Sequence, residues 1–155
     1  MSAHPAEILA RARARGLRIA TAESCTGGMV GAALTDIPGS SDVYDRGVIT
    51  YSNAAKMELL GVLPQTLATQ GAVSEEVARE MAEGLLARSA AQIAVSVTGI
   101  AGPGGSEFKP EGRVCFGLAT PTGTRTETVD FGPLGRAQVR AAATRHALSL
   151  LASAL

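Results

Sequence analysis

Short apolar-rich runs alternate with helix-patterned stretches along the whole chain, and this alternation restricts the fold more than any other feature. Leu17 to Ala22 and Ile93 to Thr98 are too short for helices and read as buried strands. Each run leads into a glycine-bearing segment. The first is Thr26-Gly27-Gly28, and the second is the longer stretch from Gly99 to Ser106. Helices are expected over 5–15 with Gly16 as the stop, over 29–35, over 54–60 behind Ser52-Asn53, from the Ser74 cap to about 89, and over 135–155. Val43 to Thr50 reads as a strand with room for a bulge at Asp45-Arg46-Gly47. Val114 to Thr120 and Thr124 to Phe131 form a hairpin across Pro121-Thr122-Gly123. The order α-β-α-β-α-α-β-β-β-α specifies an α/β sandwich, and the hairpin makes its sheet mixed rather than purely parallel.

With 155 residues, no internal repeat and no linker, the chain reads as one domain over 1–155. The 14 basic and 14 acidic residues cancel to zero net charge, so there is no electrostatic basis for a nucleic-acid partner. No apolar run approaches the ~18 residues of a membrane span, and no membrane association is expected. Cys25 and Cys115 are too few for a disulfide framework. His4 and His146 lie near opposite ends of the chain and form no recognisable ligand pair, so no metal is expected. Arg11, Arg13, Arg15 and Arg18 resemble part of a transit peptide. Glu7 and the strand that follows favour a first helix instead, and hence a cytoplasmic protein. Twelve of the 14 basic residues are Arg, and only Lys56 and Lys109 are Lys. A lysine retained against that bias marks a place where arginine does not serve.

Four segments can carry chemistry. In Thr21-Ala22-Glu23-Ser24-Cys25-Thr26-Gly27-Gly28, Ser24 follows a strand and approaches a helix N-terminus, where ligands bind in open α/β sheets. A helix cap accounts for the same residues without any chemistry. In Tyr51-Ser52-Asn53-Ala54-Ala55-Lys56, an Asn53 cap puts Lys56 in the first helical turn, an unfavourable place for a cation. A serine nucleophile needs a base, and a neutral lysine can serve. At a reference pKa of ~10.4 only about one amine in 2,500 is neutral at pH 7, so the site must destabilise the ammonium by roughly 4–5 kcal/mol. A surface lysine is the bland alternative. Thr98 and the amides of Gly99 and Ile100 open onto the same sheet edge and can donate to an oxyanion, although such a loop can equally be a plain turn. Arg136 and Arg140, spaced by four, share a helix face and can clamp a phosphate or simply be solvated. Cys25 reads as a small buried residue rather than a rival nucleophile.

Four strings occur in order: 21–28, Gly-Val-Ile-Thr-Tyr-Ser-Asn-Ala-Ala-Lys at 47–56, Gly-Ala-Val-Ser-Glu at 71–75 and Ser-Val-Thr-Gly-Ile-Ala-Gly-Pro at 96–103. Together they resemble the CinA C-terminal domain family, the stand-alone nicotinamide-nucleotide amidases, from about residue 6 to 152. The resemblance implies a three-layer α/β/α sandwich with a mixed, mostly parallel five-stranded sheet. It implies hydrolysis of the carboxamide of nicotinamide mononucleotide to nicotinate mononucleotide and ammonia, by a Ser/Lys mechanism with no metal or other cofactor. By position, Ser24 matches the nucleophile and Lys56 the base, while Tyr51 and Thr98 match supporting residues. Thr26, Gly27, Gly28, Gly99, Gly102 and Arg140 are the expected substrate contacts. Arg136 matches less well, because Phe131-Gly132-Pro133-Leu134-Gly135 precedes it where many relatives have a Gly-Asp-Arg turn. The resemblance also implies a small-molecule nucleotide as partner and a homo-oligomer, dimer or higher. A catalytically silent nucleotide-binding module and an interaction protein are the competing readings.

Overall fold

In the computed structural model, which describes residues 3–106 and 108–155, five strands form one sheet in the order β2-β1-β3-β4-β5. These are β1 (Ile19–Glu23), β2 (Tyr44–Ile49), β3 (Ile93–Gly99), β4 (Arg113–Thr120) and β5 (Gly123–Asp130). β1 pairs in parallel with both β2 and β3, whereas β3–β4 and β4–β5 are antiparallel. Four of the five strands therefore point one way and β4 alone is reversed. The β1–β2 register slips between Ile19 and Ala20, whose partners are Tyr44 and Arg46, so the expected irregularity falls at Asp45. The last hairpin closes where expected, with Thr120 opposite Gly123.

Side-chain size decides how the helices lie on the two faces. One face carries Ile19, Val95, Val97, Phe116 and Leu118. Against it pack α1 (Pro5–Ala14), α2 (Met29–Thr35) and α6 (Arg136–Ser153), through residues such as Ile8, Leu34, Val139 and Leu151. The other face is built from Ala20, Ala22, Ala94, Ser96 and Gly117. Such short side chains let α5 (Glu75–Ala87) come close enough for Ser96 Oγ to donate to the Ala78 carbonyl at 2.6 Å. A Cβ on Gly117 would sit 2.5 Å from that carbonyl oxygen. Beside α5 lie α3 (Asn53–Leu60) and α4 (Pro64–Gln70), which contribute Leu60 and Leu67. The result is the three-layer α/β/α sandwich. Among the described residues no helix is long and apolar enough to cross a membrane.

The helix starts follow local chemistry. Ser52 and Ser74 cap α3 and α5, accepting from the amides of Ala55 and Val77. Two readings from sequence change here. The α3 cap is Ser52 rather than Asn53, which moves Lys56 one position further into the helix. The α4 helix lies in a stretch for which no element was expected. It has Pro64 at its start, a proper helix-start signal, but seven residues with only Leu67 buried give no apolar period to read.

Candidate active site

The carboxyl ends of the three parallel strands converge on one point. Ser24 directly follows β1, and its amide donates to the Val97 carbonyl of β3 at 2.9 Å. Thr50 directly follows β2, and its amide donates to the Glu23 carbonyl at 2.8 Å. Its own carbonyl accepts from Lys56 Nζ at 2.8 Å. The same Nζ lies 3.1 Å from Ser24 Oγ. Lys56 is only 1% exposed, among the largest fully buried side chains of the described residues, and Ser24 is 8% exposed. Two residues 32 positions apart in sequence are thereby brought to proton-transfer distance by the sheet and the helix after it.

A cavity of about 320 Å³ opens in front of the pair. One wall is the glycine-rich segment from Gly99 to Ser106, and Ala72 and Val73 form another. Tyr51 and Arg136 lie at the mouth. The Arg136 guanidinium donates to the Gly102 carbonyl at 2.7 Å and to the Tyr51 hydroxyl. Cys25 also lines the cavity, but burial pushes its thiol up to about 12, so it is protonated at neutral pH. Of the residues expected at a site, Ser24, Lys56, Tyr51, Thr98, Gly99 and Gly102 border this space.

Thr26, Gly27, Gly28 and Arg140 do not. Helix α2 begins five residues after Ser24, and its N-terminus is already occupied from within the chain. The buried Glu23 carboxylate accepts from the amides of Gly28, Val30 and Gly31 at 3.2, 3.0 and 2.9 Å, and from Thr26 Oγ1 at 2.6 Å. An anion already sits at the positive end of the helix, so a ligand phosphate has no place there. Gly27 and Gly28 have φ of 58° and 105° and allow the chain to turn back from Ser24 into α2. Arg140 braces that turn from behind, donating to the carbonyls of Cys25 and Thr26 at 3.0 and 3.4 Å. Arg136, the arginine that the sequence reading ranked lower, is the one at the cavity.

Thr98 is close but differently engaged. Its hydroxyl donates to the Ala72 carbonyl at 2.8 Å, and the Ile100 amide donates to the Arg113 carbonyl at 2.9 Å. Two of the three donors expected for an oxyanion thus serve the fold, and Thr98 ties the two cavity walls together. Sequence reasoning passed over Glu23 as a structural anchor. The available signal was an acidic residue a few positions before a helix, where the macrodipole favours it.

Against known proteins, the family model described as the CinA C-terminal domain matches residues 2–155. A nicotinamide-nucleotide amidohydrolase PncC from Enterobacter agglomerans is 58% identical over 118 residues, covering 76% of this chain and 72% of that protein. A CinA-like protein from Chlorobium phaeobacteroides (strain BS1) is 59% identical over 120 residues, 75% of this chain but 29% of its own length. The chain thus spans roughly three tenths of the CinA-like relatives it matches. Among solved structures, competence/damage inducible protein CihA from Agrobacterium tumefaciens superposes with a TM-score of 0.93 at 47% identity, covering 96% of this chain and 92% of that one. The CinA superfamily protein ECK1530/EC0983 from Escherichia coli gives 0.94 at 37% identity, with 97% and 88% covered. With the family model matched from end to end and the fold shared, this chain belongs to the CinA C-terminal domain family.

Proposed function

We propose that this chain is an amidohydrolase that removes the carboxamide nitrogen of nicotinamide mononucleotide as ammonia, with Ser24 as nucleophile and Lys56 as base. The observation that carries the reading is the buried Lys56 Nζ at 3.1 Å from Ser24 Oγ, facing a cavity. The similarity to a relative named for nicotinamide-nucleotide hydrolysis supplies the substrate class.

The chemistry follows from that pair. A buried amine is favoured over a buried ammonium, because leaving water penalises the charged form. The neutral amine of Lys56 takes the Ser24 proton as Oγ bonds to the carboxamide carbon. The resulting ammonium stands beside the negative oxygen and stabilises its charge. Lys56 then gives its proton to the departing nitrogen, the C–N bond breaks and ammonia leaves. Water, deprotonated by Lys56, attacks the acyl-serine ester; the C–Oγ bond breaks, the Ser24 oxygen takes the proton back from Lys56, and the carboxylate is freed. The pyridinium ring withdraws electrons from the carboxamide, so this amide needs less activation than a peptide bond. Arg136 at the mouth holds the phosphate, since the α2 terminus is filled by Glu23.

Ammonia release from nicotinamide mononucleotide after EDTA treatment tests this reading. Wild type is expected to turn over, Ser24→Ala to lose all measurable turnover with an unchanged circular dichroism spectrum, and Lys56→Arg to lose at least about a hundredfold in kcat, because guanidinium stays protonated at neutral pH. Wild-type activity in Ser24→Ala would remove the nucleophile assignment. Nucleotide binding without ammonia from wild type would favour a silent binding module.

A further inference from the structure

Of the two lysines in a chain that otherwise uses arginine, the mechanism above employs one. The other, Lys109, lies on the segment that returns from the glycine-rich wall to β4. Its Nζ donates to the Gln70 carbonyl at 2.7 Å and to the Val73 carbonyl. Gln70 is the last residue of α4, whose end carbonyls carry partial negative charge, and Val73 lies on the opposite wall of the cavity. The backbone of Lys109 meanwhile pairs with Ser106, a cavity-lining residue, through Ser106 N to Lys109 O at 3.0 Å and Lys109 N to Ser106 O at 2.8 Å. The fit is tight: a Cβ on the neighbouring Gly105 would meet the Lys109 carbonyl oxygen at 2.3 Å.

We propose that Lys109 is a positioning residue that sets the width of the cavity by fastening the glycine-rich wall to the 70–73 wall. The ion type fits the task. Two carbonyls three residues apart converge on one nitrogen, which suits a compact ammonium with tetrahedral donors and does not suit a planar guanidinium fork. The outer part of the same wall is held separately: the Glu111 carboxylate accepts from the Gly104 amide at 2.6 Å and the Gly135 amide at 3.3 Å. Ser24 and Lys56 stand at the end of β1 and on α3, whereas the Lys109 ammonium is held by the Gln70 and Val73 carbonyls. Loosening the fastening therefore spoils the fit of the substrate while the reacting pair stays in place.

The inference rests on the amidase reading, and its test has an arm that does not. In steady-state assays with nicotinamide mononucleotide, Lys109→Arg and Lys109→Gln are expected to raise KM roughly tenfold with kcat within about threefold of wild type. In hydrogen exchange on the full chain, 70–74 and 100–106 are expected to exchange faster in both variants, with 24–28 and 53–60 unchanged. Unaltered KM in either variant, or normal exchange in both wall segments, overturns the proposal. So does a lower melting temperature with wild-type kinetic constants in the folded fraction, which would mark a purely structural tie. If wild type releases no ammonia, the amidase reading fails, and the exchange result alone decides whether Lys109 fastens the walls.

Discussion

Cys25 stands next to Ser24 on the cavity wall, 3% exposed, with a thiol whose proton is held by burial. Burial outweighs a backbone hydrogen bond and the Arg140 guanidinium, which pull its pKa down. Cys115 is also buried, and its pKa is raised for the same reason. Both thiols should therefore resist Ellman's reagent at pH 8 in the native protein and react fully in guanidinium; a fast native reaction at Cys25 would contradict the geometry. The pH dependence has a definite sign. An unfolded thiol ionises from about 9, while folded Cys25 keeps its proton up to about 12. Stability from this group is complete below pH 9 and is lost as pH rises through that window. At this same scale Ser24 and Lys56 were legible in the sequence, one by its place after a strand and the other by the scarcity of lysine. Thr98 and Arg140 were legible as site neighbours but not in what they do, because one hydroxyl rotor or one arginine rotamer decides whether a side chain faces the cavity or the fold. Nothing in spacing separates Arg136 from Arg140, which lie one helical turn apart.

Lys56 reaches Ser24 because α3 is fixed against α5, and at Gly84 the two helices approach so closely that only a glycine fits. A Cβ there would fall 1.9 Å from the Leu60 carbonyl oxygen at the end of α3. Gly84→Ala must therefore push the helices apart, at a cost of about 1–3 kcal/mol in chemical denaturation. It should also lower kcat, since a displacement near 1 Å costs on the order of a hundredfold. Wild-type stability and kcat in this variant would show that α3 is positioned otherwise. Gly84 interrupts an otherwise regular amphipathic pattern and tells a sequence reader only that something approaches. The strands and the long helices were readable because their periods repeat. The short α4 was not, having one buried apolar residue and no period, and the α3 cap was misplaced by one residue because Ser52 and Asn53 are both good caps.

Across the molecule, the two faces of the sheet differ in kind: bulky side chains under α1, α2 and α6, and alanine, serine and glycine under α5. β1 and β3 are paired on both sides and covered on both faces, while β5 has one free edge and alternates between half-buried and exposed residues. Native-state hydrogen exchange should rank β1 and β3 slowest, at the global unfolding limit, with β5 faster; equal protection in β5 would indicate that its edge is covered in solution. The sandwich itself follows from the order of elements. The unequal faces do not, because Ala20, Ala94 and Gly117 reveal their common role only once the register aligns them. Glu23 joins this frame to the site, since its carboxylate completes α2 and its carbonyl holds the strand end that holds Lys56. Many α/β proteins leave the corresponding terminus vacant, and the loop beside it settles when a phosphate arrives. This chain brings its own counter-ion, and the turn bearing Ser24 is tied from within by the Glu23 carboxylate. A ligand entering the cavity would meet a turn already fixed, and little of its binding energy would be diverted into ordering the loop.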